Sequence, residues 1–256
     1  MSQNKILTRH VAPKEIKFME DKIQDVYELR VHKSPYDVAN VRARYLKLYT
    51  ALVYDAMESI GFPGRSMESG IYPLTIDMKV AGPAFTARRC TTPNTDAYTH
   101  NIRLGLMKSM TEGCVFLSDV QGNKNCGQFG EITANAMRAH GCSGAVIDGS
   151  TRDSNHLISM GFPTFCRFRN PVEGLSRSMI VDYQIPIFVN GIDGMIRVDP
   201  GDFIFGDNDG VVIVPEAKTI EVLEIAEKWF ESEKRSRKAM ADGEDPFEVY
   251  NKYGKF

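Results

Sequence analysis

A glycine-rich turn, Gly127-Gln128-Phe129-Gly130-Glu131-Ile132, is followed by the apolar run 144–147, the turn Asp148-Gly149 and then Arg152-Asp153. Such a turn frees backbone N–H groups, and at a helix start these lie at the positive end of the helix dipole, where they hold an anion. The pattern predicts a helix over 131–138, a stop at His140-Gly141 and a strand over 144–147. Helix and strand run in opposite directions in such a unit, so the helix start and the strand end share one edge of the domain. Glu131 can therefore meet Arg152 and Asp153. These residue types suit the capture of a 2-oxo acid: Arg152 and N–H groups take its carboxylate, while Mg²⁺ on Asp153 polarises its 2-oxo oxygen. A stabilised enolate is the product of that grip. The plainer alternative makes Asp153 the cap of a helix over 154–160 and Arg152 a surface charge.

Other chemistries are poorly supplied. Cys90, Cys114, Cys126, Cys142 and Cys166 are odd in number and scattered, without a Cys-x-x-Cys pair, which argues against a disulfide framework or a zinc site. Cys126, in the polar loop before Gly127, is the exception as a nucleophile candidate, but the sequence nominates no histidine to activate it. The histidines lack His-x-x-x-His spacing, which favours a hard, oxygen-ligated metal over zinc. A Schiff-base aldolase needs a desolvated lysine, and Lys79 and Lys124, the candidates near this chemistry, both have polar neighbours. A methyltransferase lacks its Gly-x-Gly-x-x-Gly turn after a strand. Asp207-Asn208-Asp209-Gly210 lacks EF-hand spacing and reads as a turn between two apolar runs, and Gly82 and Gly201 read as backbone requirements.

The elements that position these groups follow from periodicity. Helices are expected over 12–30, 34–60, 95–110 and 131–138, and strands over 79–91, 114–120, 144–148, 163–167, 186–190 and 203–214. Alternating strands and helices indicate an α/β domain over residues 35–215, with an N-terminal helical extension (1–34) and a C-terminal helix and tail (216–256). In the tail, Ile220, Leu223, Ala226, Trp229 and Phe230 share one helix face before a charged, solvated run over 231–238, and the aromatics Phe247, Tyr250, Tyr253 and Phe256 suit docking on a neighbouring subunit. A formal net charge of −2 supplies no global field for nucleic acid. No apolar run is long enough for a bilayer and the N-terminus is not of secretory type, so a cytoplasmic protein without membrane partners is expected.

The chain resembles the regulator-of-ribonuclease-activity A-like (RraA-like) family, which includes class II pyruvate aldolases acting on 4-hydroxy-4-methyl-2-oxoglutarate and 4-carboxy-4-hydroxy-2-oxoadipate. The likeness spans about 48–244: Asp55-Ala56, Val80-Ala81-Gly82-Pro83-Ala84-Phe85-Thr86, the Gly127 loop, the 144–149 run with Arg152-Asp153, Pro200-Gly201-Asp202, and 207–215. It implies a three-layer β/β/α fold like the swivelling phosphohistidine domain, assembled as a homotrimer or hexamer with the site at a subunit interface. It also implies retro-aldol cleavage of a 4-hydroxy-2-oxo acid to pyruvate, with oxaloacetate decarboxylation through the same enolate. Asp153 would be the direct Mg²⁺ (or Mn²⁺) ligand, Arg152 would bind substrate and steady the enolate, and Gly127, Gln128, Phe129, Gly130 and Ile132 would bind the pyruvyl unit. Glu131 stands where the family's aldolases carry a catalytic aspartate, with the family's spacing of twenty residues before the Arg-Asp pair. A glutamate acting from the adjacent subunit would be Glu231 or Glu233. Some members are described as protein regulators of ribonuclease E, so a non-catalytic binding protein is the alternative; retention of Glu131, Arg152 and Asp153 favours the enzyme.

Overall fold

In chain order the elements are α1 (Val38–Tyr45), α2 (Thr50–Ser59), β1 (Tyr72–Pro73), β2 (Val80–Thr91), α3 (Ala97–Lys108), β3 (Val115–Asp119), α4 (Glu131–Ala139), β4 (Gly144–Thr151), α5 (Ser154–Ser159), β5 (Thr164–Arg169), β6 (Ser178–Tyr183), β7 (Ile187–Gly191), β8 (Gly194–Val198), β9 (Phe203–Asp207), β10 (Gly210–Val214), α6 (Thr219–Ala241) and α7 (Pro246–Tyr253). They are taken from a computed structural model that describes residues 29–93 and 97–254. The helix expected over 12–30 lies almost wholly outside the described residues, as do the expected start of the third helix and Phe256.

β2 organises the sheet because its two halves have different partners. Val80–Pro83 pair antiparallel with β9, while Ala84–Arg88 pair parallel with β3, and Ala87–Thr91 pair antiparallel with β6 on the other edge. The path runs β1-β5-β4-β3-β2-β9-β10, and the β7–β8 hairpin forms a separate small sheet. β1 and β10, at the two ends of the path, come back into contact, so the sheet curls into a nearly closed barrel. This is the α/β fold expected from the resemblance. Alternate residues of each strand face opposite sides. Val80, Ala84, Val115, Leu117, Val146, Phe165, Ile204 and Ile213 fill the interior with Ile187, Val189, Ile196 and Val198 of the hairpin. Outward-facing Phe85, Phe116, Ala145 and Ile147 pack against Leu106, Ala134, Met137 and Leu157 of α3, α4 and α5. On the opposite side α1, α2 and α6 cover Phe203, Phe205, Val212 and Val214 through Tyr45, Leu52, Val53, Leu223 and Ala226.

Two elements depart from the sequence expectation. The single helix over 34–60 is two, broken at residues 46–49, because distant groups cap the break more favourably than a continued helix would. Lys79 Nζ donates to the carbonyls of Leu46 (3.3 Å) and Leu48 (2.6 Å), and the buried Asp207 carboxylate accepts from Thr50 N (2.8 Å) and Thr50 Oγ1 (2.6 Å). The strand over 203–214 is a hairpin, with Asp207 also accepting from Asp209 N at 3.0 Å, so the turn reading of 207–210 holds. Strands β1, β6 and β8 were not expected, and the tail after Gly243 forms helix α7. Gly82 is a backbone requirement as anticipated: a Cβ there would lie 2.0 Å from the carbonyl oxygen of Gly113.

Candidate active site

The Gly127 loop lies beside the end of β4, joined to it by a parallel bridge between Phe129 and Thr151. Gln128 N donates to Ser150 O (3.0 Å), Arg152 N to Phe129 O (2.8 Å) and Gly127 N to Val172 O (2.8 Å). The buried Gln128 side chain locks this arrangement, its Oε1 accepting from Ser150 N (2.7 Å) and Ser150 Oγ (2.6 Å) and its Nε2 donating to Asn123 O (2.9 Å). The N–H groups of Gly127 and Gln128 are thus used by the fold. What the loop offers a ligand is the first turn of α4, whose N–H groups have no acceptor within the helix.

A cavity of about 350 Å³ opens there, lined by Gly127, Gln128, Phe129, Gly130, Ile132 and Thr133 together with Arg152 and Asp153. The anticipated meeting of helix start and strand end therefore occurs. Asp153 precedes α5 but does not cap it: its backbone is left-handed (φ 57°, ψ 30°), with no side-chain bond to its own helix. Its carboxylate instead turns to the start of α4 and accepts from Glu131 N at 3.3 Å, with Arg152 Nε at 3.5 Å. An aspartate tolerates this backbone region better than most residues, yet it is uncommon there, and such placement is typical of functional positions. Gly130 makes room for it. Its backbone is extended (φ −155°), so any residue fits conformationally, but a Cβ would lie 2.5 Å from Asp153 Oδ2.

Glu131 begins α4, and its carboxylate accepts from Asn135 Nδ2 one turn along the helix instead of lining the cavity. Glu231 and Glu233 lie on α6, far from this pocket in sequence and outside its lining; Glu233 binds Tyr49 OH and Arg237 Nη2, the latter at 3.1 Å. Cys126 is fully buried beside Asn123 and Gln128, and burial pushes its thiol up, which removes it as a nucleophile. Among the described residues no lysine lines the cavity, and Lys79 is spent on the α1–α2 break.

Among the lining residues that were not anticipated, four are ionisable: Arg89, His100, Arg103 and Glu173. The available signals were an arginine pair inside the otherwise apolar β2 and the three-residue spacing that puts His100 and Arg103 on one face of α3. Arg89 is 8% exposed, donating from Nε to Ser178 Oγ (3.3 Å) and from Nη2 to Ser178 O (2.8 Å). Burial, reinforced by Arg103, pushes its guanidinium down to about 10. Burial also lowers Arg103, and Glu173 opposes that shift.

Among the described residues no group of three or more His, Cys, Asp or Glu side chains is placed to hold a metal. What the cavity offers is two carboxylates, Asp153 and Glu173, and the contacts of Asp153, at 3.3 Å and longer, leave its lone pairs available. That set suits Mg²⁺, which keeps most of its water and binds through one or two carboxylates, and it does not suit zinc.

No helix of the described residues is long and apolar enough to cross a membrane. The chain is 28% identical over 196 residues to a Halalkalibacterium halodurans protein named "Putative 4-hydroxy-4-methyl-2-oxoglutarate aldolase", across 75% of this chain and 85% of that one. It is 26% identical over 204 residues to Protein DlpA of Legionella pneumophila, across 80% of this chain but 32% of that protein, so it spans about a third of that relative's length. A solved structure described as novel cellulases from microbes associated with the gut ecosystem superposes with a TM-score of 0.73 at 30% identity, covering 88% of this chain and 100% of the other. Streptomyces coelicolor RraAS2, described as an unusual member of the RNase ES inhibitor RraA protein family, shares the fold with a TM-score of 0.68 at 24% identity, covering 80% of this chain and 98% of its own. The RraA-like family model, described as Aldolase/RraA, matches residues 50–213, and with the loop and Arg-Asp pair in place the chain belongs to this family.

Proposed function

We propose that the chain is a divalent-metal-dependent lyase that cleaves a 4-hydroxy-2-oxo acid to pyruvate by retro-aldol reaction, with decarboxylation of oxaloacetate as a side activity. The observation that carries this reading is the turn of the Asp153 carboxylate away from its own helix and into the cavity beside Arg152. A Mg²⁺ or Mn²⁺ ion held by Asp153 would supply the Lewis acid that polarises the 2-oxo oxygen. Arg152 grips the substrate carboxylate and faces the developing enolate, and the first turn of α4 adds N–H groups and dipole to the same negative charge. As the 4-hydroxyl loses its proton, the C3–C4 bond breaks and its electron pair becomes the enolate, which takes a proton at C3 to give pyruvate. Glu131, at the start of α4, would order the water that carries these protons after turning from Asn135.

Assembly as a trimer or hexamer completes this reading. Ile132 (80% exposed), which lines the cavity from α4, and Tyr98 (69% exposed), on α3, are large apolar groups that a second copy would cover, and Glu231 or Glu233 would act from that copy. Pyruvate release coupled to lactate dehydrogenase, over a panel of 4-hydroxy-2-oxo acids and oxaloacetate with Mg²⁺, Mn²⁺ or EDTA, tests the proposal. Metal-dependent release is expected. No release from any acid would favour the alternative, a non-catalytic protein-binding regulator of ribonuclease activity.

A further inference from the structure

Retro-aldol cleavage moves two protons. One must leave the 4-hydroxyl for the C3–C4 bond to break, and another must reach C3 afterwards. The Glu131 carboxylate binds Asn135 instead of lining the cavity, so it reaches the substrate only through water. Among the described residues six ionisable side chains line the cavity: Arg89, His100, Arg103, Arg152, Asp153 and Glu173. A guanidinium has no lone pair with which to accept a proton, which sets aside the three arginines. Asp153 is the metal ligand of the lyase reading. Glu173 sets its charge against Arg103, easing the burial of that guanidinium, and a carboxylate is a weaker base than an imidazole by about two pK units. His100 is left, and imidazole, which exchanges a proton near neutral pH, is the commonest general base.

The position of His100 suits a base acting on the end of the substrate remote from the pyruvyl grip. Arg152, Asp153 and the first turn of α4 enter the cavity from one side. His100 enters from the other, on α3 and one helical turn before Arg103, and α3 packs on β6, whose Ser178, Met179 and Ile180 continue that wall. A cavity of about 350 Å³ is at the lower end of the range for small-molecule sites, so an acid gripped by its pyruvyl half extends its C4 hydroxyl to this wall.

We propose that His100 is the general base that takes the 4-hydroxyl proton in the retro-aldol reaction and that it has no such part in the decarboxylation of oxaloacetate. The inference rests on the lyase reading. The O4–H proton passes to an imidazole nitrogen, the electron pair of that bond closes the new carbonyl at C4, and the C3–C4 pair moves onto the pyruvyl half as the enolate. The imidazolium then gives its proton to the water ordered by Glu131, and that water supplies C3, so none is gained or lost. Oxaloacetate carries no 4-hydroxyl. Its C4 leaves as carbon dioxide, the C3–C4 pair forms the same enolate, C3 takes its proton from the same water, and no base is needed at C4.

The test measures both reactions in wild type, His100→Gln and His100→Ala, with oxaloacetate and with the 4-hydroxy-2-oxo acid that wild type cleaves fastest. His100→Gln should lower the ratio of cleavage to decarboxylation by about 10²- to 10⁴-fold, the range of a general base, and kcat for cleavage should fall far more than KM changes. Imidazole added to His100→Ala should restore part of the cleavage. Misfolding or a loosened α3 would instead slow both reactions alike. An unchanged ratio in His100→Gln, whether both rates fall or neither does, overturns the assignment and leaves the lyase standing. If wild type cleaves the hydroxy acid without decarboxylating oxaloacetate, the imidazole experiment decides: rescue of His100→Ala upholds the base and its absence refutes it. If wild type turns over neither acid, the lyase reading and the assignment of His100 fall together.

Discussion

Gly130→Ala is the substitution whose effect the structure specifies most closely. Gly130 precedes α4 with an extended backbone, so alanine meets no conformational penalty there. Exchanging glycine for alanine at a helix N-cap costs up to about 1 kcal/mol, so the protein should fold and melt within a few degrees of wild type. The site responds differently. The added methyl carbon would lie 2.5 Å from Asp153 Oδ2 and 3.2 Å from Arg152 Cγ. Relaxing the first contact to an ordinary van der Waals distance moves the carboxylate by about 1 Å, and a misplacement of that size in a catalytic constellation costs on the order of 100-fold. Steady-state pyruvate release should therefore fall by about two orders of magnitude, with far-UV circular dichroism and melting temperature preserved. Near-normal turnover would refute the placement of Asp153 as the group around which the site is built. A melting temperature lower by tens of degrees would refute the argument that this glycine serves the site and not the fold.

The other predictions address the groups around it. Asp153→Ala should abolish activity, and EDTA should do the same to wild type with recovery on adding Mn²⁺; full turnover in excess chelator would end the metal-dependent reading. Arg152→Lys should lose roughly 2–4 kcal/mol of transition-state stabilisation in kcat/KM, because a point charge cannot replace a planar two-donor grip, and activity near wild type would make Arg152 a bystander. Glu131→Gln should lower kcat far more than it weakens pyruvate binding, since the amide keeps the shape and loses the base. Glu131→Asp should stay active. If the Gln variant loses affinity alone, Glu131 caps α4 and the proton route lies with Glu231, Glu233 or solvent.

The sequence by itself determined whatever depends on neighbours along the chain. Six apolar runs bounded by Gly or Pro marked seven of the strands, β9 and β10 as one run, the Asp-Gly turn at 207–210 was legible from its flanks, and the order of turn, helix and strand placed the start of α4 beside Arg152-Asp153. Only the tertiary structure decided the contacts between residues far apart. The break in the 34–60 helix is made by Asp207 and Lys79, which no local pattern connects to it. Strand β6 is short and mixed in character, and its pairing with β2 brings Ser178 to Arg89. Asp153 had two local readings of similar merit, cap or ligand. A left-handed backbone and the space left by Gly130 turned its carboxylate toward α4, and both depend on loops that meet only in the folded chain. The meeting of Arg89 and Arg103 was equally hidden, because an arginine in a strand and another on a helix reveal nothing of their common cavity until the barrel closes and α3 packs against β6. Periodicity reports which face of an element is buried, while chemistry depends on which side chains meet, and that is set by packing across the whole fold.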